Sequence, residues 1–207
     1  MRKVIGVVAI GVCAAIAAVP LLADDKKPQQ PGGDAMKAMM EAWAKQAAPG
    51  EHHAHLKPLA GKWESVGKFR MAPEAPWQES NSTSTAEWIL GGRFLSQKIS
   101  GEAMEGMTYA FEGFGVLGYD NLKQKYVSIW MDNMATMIMS AEGTCDSSGR
   151  VITFESAEFE NPMTGQKESM KSIYRIESNS KYILEMYQPA PDGSEFMSMV
   201  IVSTRAS

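Results

Sequence analysis

The chain has 207 residues, 44% of them hydrophobic, and a formal net charge of −4. That length suits one domain with a short leader, and the acidic balance repels phosphate, which argues against nucleic acid as a partner. Of the two cysteines, Cys13 lies in the first apolar run, so processing there leaves Cys145 alone and excludes an internal disulfide.

Met1-Arg2-Lys3, the apolar run from Val4 to Val19, and Leu21-Leu22-Ala23 before Asp24-Asp25 have the basic, apolar and small-residue zones of a secretory signal. The run is shorter than the ~20 residues a spanning helix needs. Residues 1–23 are therefore expected to be a cleaved signal peptide, which would make the mature protein periplasmic or extracellular and free of the membrane. Its removal takes Arg2 and Lys3 and leaves 18 basic against 24 acidic residues. Residues 24–33 are polar and rich in Pro and Gly, the composition of a disordered linker.

Residues 34–60 read as a leader helix and a barrel plug. Met36, Met39, Met40, Trp43 and Ala47 recur at helical spacing, with Asp34 as N-cap, Pro49-Gly50 as the stop, and Lys37, Glu41 and Lys45 on the other face. Packing of this stripe on the protein's own barrel is the plainest expectation; a homo-oligomer or a protein partner held through the helix is the alternative. Glu51 to Ala60 reads as a short helical turn that presents Leu56 and Leu59 to one end of the barrel.

From residue 61 to 207, about ten strand-like segments alternate with turn signals, at roughly 62–71, 77–90, 92–100, 108–119, 124–132, 136–145, 150–159, 166–177, 181–188 and 195–205. The fold expected is all-β: an up-and-down antiparallel barrel of about ten strands with an N-terminal amphipathic helix. Alternate loops fall at alternate ends. Gly91-Gly92, Asn121-Leu122-Lys123, Ser147-Ser148-Gly149 and Asn179-Ser180 are tight and mark a base, whereas the loops between them are longer and mark a mouth. Glu74, Glu102, Glu105, Asp132, Glu160, Asp192 and Glu195 gather toward that mouth, which favours neutral or cationic ligands.

If the barrel closes, the first and last strands are neighbours, and Arg205 can cover the indole of Trp63 as a cation–π lid. Counting by twos places Trp63, Ser65, Gly67, Phe69 and Met71 on one inward face and Arg205, Ser203, Ile201, Met199 and Met197 on the other. Trp130, Asp132, Glu142, Glu185 and Tyr187 are the candidate ligand-binding residues. Trp130 is expected inside with Asp132, and the opposite register would turn Val127, Ile129 and Met131 inward instead.

Catalytic and metal signals are sparse. His52, His53 and His55 cluster in the leader, but no second histidine group or cysteine pair completes a site, and no metal or other cofactor is expected. Met104, Met107, Met134, Met137 and Met163 near the mouth suit an adaptable apolar rim better than a copper site. There is no Gly-x-Ser-x-Gly elbow and no phosphate loop. Gly113-Phe114-Gly115-Val116-Leu117-Gly118 sits within a strand, so it reads as close packing in the barrel wall.

Gly61-Lys62-Trp63 on the first strand with Arg205 on the last resembles the calycin superfamily of lipocalin-like barrels. More specifically, Pro49-Gly50-Glu51-His52-His53, Leu59 to Trp63, Trp88 to Leu95, Gly115 to Asn121 with Gly118-Tyr119-Asp120-Asn121 at its end, Trp130-Met131-Asp132, Asn161 to Gly165, and Glu185-Met186-Tyr187 through Pro191-Asp192-Gly193 resemble the bacterial DUF1579 family, whose function is unknown. The calycin resemblance implies an interior pocket. The function expected is binding of a small, largely apolar, non-anionic molecule. The alternatives are a lipocalin-like isomerase or hydrolase using cavity carboxylates, and a structural envelope or interaction module.

Overall fold

The computed structural model describes residues 32–103, 108–161, 165–190 and 192–207. The expected signal peptide, most of the linker, Met104, Glu105, Met107, Met163 and Pro191 lie outside these residues. Among the described residues, no helix is long and apolar enough to cross a membrane.

The chain divides into two compact units, Met1–Met40 and Glu41–Ser207. Helix α1, Gly33–Gln46, runs from the first into the second. It is built from good helix formers, with Asp34 in the first turn and Lys45 in the last, the charge order that suits the helix dipole. The expected apolar stripe is present but none of it is buried: Met36, Met39, Met40 and Trp43 are all exposed. Within the second unit, the Asn121 side-chain amide donates to the carbonyls of Gln46 at 2.7 Å and Ala48 at 3.0 Å, satisfying helix-end acceptors. A short helix α2, Glu51–Ala54, and a 3₁₀ turn, Lys57–Leu59, follow; Leu56 and Leu59 are fully buried, as expected of a plug.

The strands are β1 (Gly61–Phe69), β2 (Gln78–Ile89), β3 (Phe94–Gly101), β4 (Phe111–Asp120), β5 (Lys125–Asp132), β6 (Met139–Cys145), β7 (Val151–Ser156), β8 (Phe159–Glu160), β9 (Lys167–Glu168), β10 (Lys171–Ser178), β11 (Lys181–Pro189) and β12 (Glu195–Arg205). Ten of them form a closed antiparallel barrel in the order β1-β12-β11-β10-β7-β6-β5-β4-β3-β2. The exception is the β8–β9 pair, which the sequence reads as extensions of two wall strands. It forms a separate two-stranded ribbon, closed by Gly165 N–H donating to Asn161 O at 2.7 Å and braced by Asn161 Nδ2 donating to Glu168 at 2.9 Å.

Closure places Trp63 opposite Arg205 and Ser65 opposite Ser203. The guanidinium carbon lies 4.4 Å from the Trp63 ring centroid. Its nitrogens donate to Asn179 O at 2.6 Å, Ala60 O at 2.9 Å and Pro58 O at 3.1 Å, tying the last strand to the plug. The indole N–H of Trp63 donates to Leu59 O at 2.9 Å. Gly61 sits at φ +130°, and a Cβ there would overlap Arg205 Nη1, so this position needs glycine twice over.

Candidate functional site

Side-chain direction follows from register. Residues paired across neighbouring strands share a face, and the face that includes buried Trp63, Leu95, Leu117, Phe154 and Tyr182 is the interior. Along each strand the inward side chains change character from base to mouth. On β3, Leu95 and Gln97 are buried and Ile99 is half-buried; on β11, Tyr182 is buried and Leu184 and Met186 are half-buried; on β12, Ser203 is buried and Ile201 and Met199 are half-buried. The base is packed solid, and the inward side chains toward the mouth line a lumen in which they are only partly buried. That lumen is the candidate site.

Trp130 lies on the inward face of β5, opposite Gly115 on β4, which in turn faces Gln97 on β3. The indole lies flat against the wall because two glycines make room: a Cβ at Gly113 would stand 2.5 Å from the ring and one at Gly115 would stand 3.1 Å away. Phe111 stacks on the ring with centroids 6.4 Å apart and planes 17° from parallel. The indole N–H donates to Asp132 Oδ2 at 2.7 Å, and Asp132 Oδ1 accepts the Met134 amide at 2.9 Å. Trp130 and Asp132 are thus brought together at the mouth, and Val127, Ile129 and Met131 face the other way. The glycines of 113–118 are the close packing that their sequence implies.

The other three candidates are placed on the outer wall. Glu142 pairs with Lys123 at 2.6 Å; this bond holds the lysine above its ordinary range. Glu185 accepts from Arg175 at 2.9 Å and from the Tyr187 hydroxyl at 3.2 Å. Tyr187 is pushed up by burial and by Glu185, and Lys171 sits 5.0 Å from its ring while pairing with Glu195. Their register places all three on the outward face: Glu142 opposite Val127, Glu185 opposite Ile173 and Val200, and Tyr187 opposite Lys171 and Met197. Counting by twos from Arg205 also fails at Met197, because a bulge between Met199 and Met197 turns Met197 outward opposite Tyr187. Met71 lies beyond the end of β1 and is exposed.

Among the described residues, no charged side chain lies on the inward face between Arg205 at the base and Asp132 at the mouth. Hydroxyls take their place. Ser65 and Ser203 share a hydrogen bond of 2.8 Å, and Ser82 and Ser80 continue the row on β2 toward the mouth. Gln97, which sequence reading passed over, is 4% exposed and faces inward between Ala86 and Gly115. A groove of about 620 Å³ also exists on the outer wall, floored by Phe114 and Met131 and flanked by Thr83, Lys98, Ser100 and Glu112. It is wide open and its polar lining is ordinary strand exterior, so the lumen is the stronger candidate.

The leader histidines belong to the base. His52 stacks on Tyr119 with centroids 4.2 Å apart, and His55 Nδ1 and the Tyr126 hydroxyl share a hydrogen bond of 2.6 Å. His53 Nδ1 accepts the Gly50 amide at 3.0 Å. Burial lowers the His53 pKa, and His52 and Arg93 add to the effect. Burial pushes both Tyr126 and Cys145 up, which keeps them neutral near pH 7. Among the described residues, no group of three or more His, Cys, Asp or Glu is arranged to hold a metal ion.

A family described as a protein of unknown function (DUF1579) matches residues 48–205. Among solved structures, the crystal structure of Rv2717c from M. tuberculosis superposes with a TM-score of 0.54 at 16% identity, covering 77% of this chain and 100% of that one, a likeness that shows the fold alone. Comparison with curated proteins finds no match.

Proposed function

The chain belongs to the DUF1579 family, whose description assigns no activity, and from that premise we propose that it is a secreted, lipocalin-like protein that binds a small, largely apolar, non-anionic molecule in the mouth half of its barrel. The observation that carries this reading is the gradient of burial along the interior, from full burial at Trp63 and Tyr182 to half-burial at Leu184 and Met186, which on this reading leaves space above the packed base. A barrel whose only task was to fold would gain by filling that space, since each unfilled methylene forfeits about 0.8 kcal/mol of burial. Trp130 offers an aromatic wall preorganised by Gly113, Gly115 and Asp132. Among the described residues no cation faces inward in the mouth half, which leaves an anionic ligand without a partner there.

A lipocalin-like isomerase or hydrolase would need two carboxylates within one dry pocket. Asp132 faces the lumen while Glu142 and Glu185 are paired with cations outside it, so the geometry does not favour that reading. Export by residues 1–23, a mature protein free of membrane and nucleic acid, and partner capture through α1 belong to the same proposal.

The test is thermal denaturation and native mass spectrometry of the purified protein against fractions of a lipid-soluble extract. A ligand present at 100 times its Kd should add about 2.7 kcal/mol to stability. A crystal structure with the mouth half filled by its own side chains would overturn the proposal.

A further inference from the structure

Among the described residues, Gln97 carries the only primary amide on the inward face at the level where the packed base ends. The residue is 4% exposed, and its side chain has no hydrogen bond to another described residue. Yet among the described residues no buried side-chain nitrogen or oxygen lacks a partner. Both statements hold only if the amide atoms reach water-accessible space, and on the inward face of β3 that space is the lumen. Gln97 also stands where the packed base gives way to the open half, with Leu95 buried below it and Ile99 half-buried above. It shares one cross-strand row with Gly115, Trp130 and Met139. Because Gly115 has no side chain, nothing on β4 separates the amide from the Trp130 indole.

We infer that the lumen takes a neutral amphiphile head first, with an alcohol or carboxamide end seated on the Gln97 amide and the apolar body running along Trp130, Leu184 and Met186 toward the mouth. This rests on the barrel-binding reading above and adds the class of ligand. A primary amide offers both donors and an acceptor, so its complement is a head group that also does both. A carboxylate head would meet the amide oxygen and hydroxyls with no cation to neutralise it, and an ammonium head would meet no anion at that depth. Ser82 and Ser80, on the wall beside β3, give the head group hydroxyl neighbours as it enters. The half-buried Leu184, Met186, Met199 and Ile201 on β11 and β12 supply the opposite, apolar wall.

The experiment uses the full chain with N-phenyl-1-naphthylamine, a neutral apolar fluorophore, as reporter, and 1-decanol, decanamide, decanoate and decyltrimethylammonium as competitors. Decanol and decanamide should displace the reporter at least about tenfold more effectively than the two charged compounds. Gln97→Met, which keeps the volume and removes the amide, should weaken decanol about tenfold more than it weakens the reporter, the loss of one buried hydrogen bond. Should that variant not fold, Gln97→Asn withdraws the amide by one methylene and carries the same comparison. A wild-type protein that binds no reporter and none of the four compounds overturns the binding reading and this inference with it. Reporter binding with equal displacement by all four competitors leaves the barrel a binder and overturns the head-group assignment. An equal loss of reporter and decanol affinity in Gln97→Met makes Gln97 a structural residue and overturns the inference as well.

Discussion

The two ends of the barrel are made from the same strands and solve opposite problems. At the base, Leu56, Leu59, Trp63, Tyr182 and Ile152 fill the cross-section, and Arg205 fastens the last strand to the plug through the carbonyls of Pro58 and Ala60 and to the β10–β11 turn through that of Asn179. At the mouth, inward residues are small hydroxyls, glycines, half-buried Leu, Met and Ile, and the aromatic rings of Phe69, Phe111 and Trp130, none of them fully buried except Gly67 and Gly115. The difference shows a division of labour along each strand: the first inward residues from the base hold the fold, which frees those nearer the mouth from packing.

If that division is real, truncations should cost stability at the base and affinity at the mouth. Leu59→Ala removes a fully buried plug residue and should destabilise by about 3–4 kcal/mol in urea unfolding. Leu184→Ala, the same chemistry on the half-buried lumen wall, should cost far less, and equal losses at the two positions would break the comparison. Arg205→Ala should cost about 1–2 kcal/mol, since it uncovers the Trp63 indole and releases the carbonyls of Pro58 and Ala60. Trp130→Ala should leave the barrel folded by circular dichroism and weaken reporter binding by more than about 1 kcal/mol; unchanged affinity would move the site away from the mouth.

The smallest effect concerns pH. Burial lowers the His53 pKa, so between the ordinary value near 6.5 and the folded one the unfolded chain binds more protons. Stability contributed by the neutral ring is complete above that window and is lost as pH falls through it. Melting temperature should therefore drop on acidification below about pH 6.5, and His53→Gln should flatten that part of the profile. A rise in stability on acidification would mean that the plug does not hold His53 neutral.

The ten wall strands were legible because turn signals punctuate them and because Trp63 and Arg205 stand at both ends of the meander. The site was legible only in part. Trp130 with Asp132 was within reach through the glycines opposite, since Gly113 and Gly115 leave room that a large ring must occupy. Glu185 and Tyr187 were not, because β11 carries apolar groups on both faces: Tyr182, Leu184 and Met186 inward, Ile183 and the aliphatic surface around Glu185 outward. Where both faces read alike, a one-residue choice of register decides every side chain, and the bulge near Met197 adds a further shift that composition does not announce. Gln97 was hidden by type. Between Ser96 and Lys98 it looks like surface, and the signal that could have found it is the alternation of Leu95 and Ile99 on either side.

The seam between β1 and β12 also constrains how the chain reaches its native state. The Ser65–Ser203 hydrogen bond joins residues 138 positions apart in sequence, so the contact that seals the wall is among the most distant the chain makes. Loop-closure entropy makes such a contact late and slow. Until it forms, both terminal strands offer a full row of unpaired amides and carbonyls to any other chain nearby. Alternating charges on the outward face of β1, Lys62, Glu64 and Lys68, then discourage edge-to-edge pairing during the interval before closure.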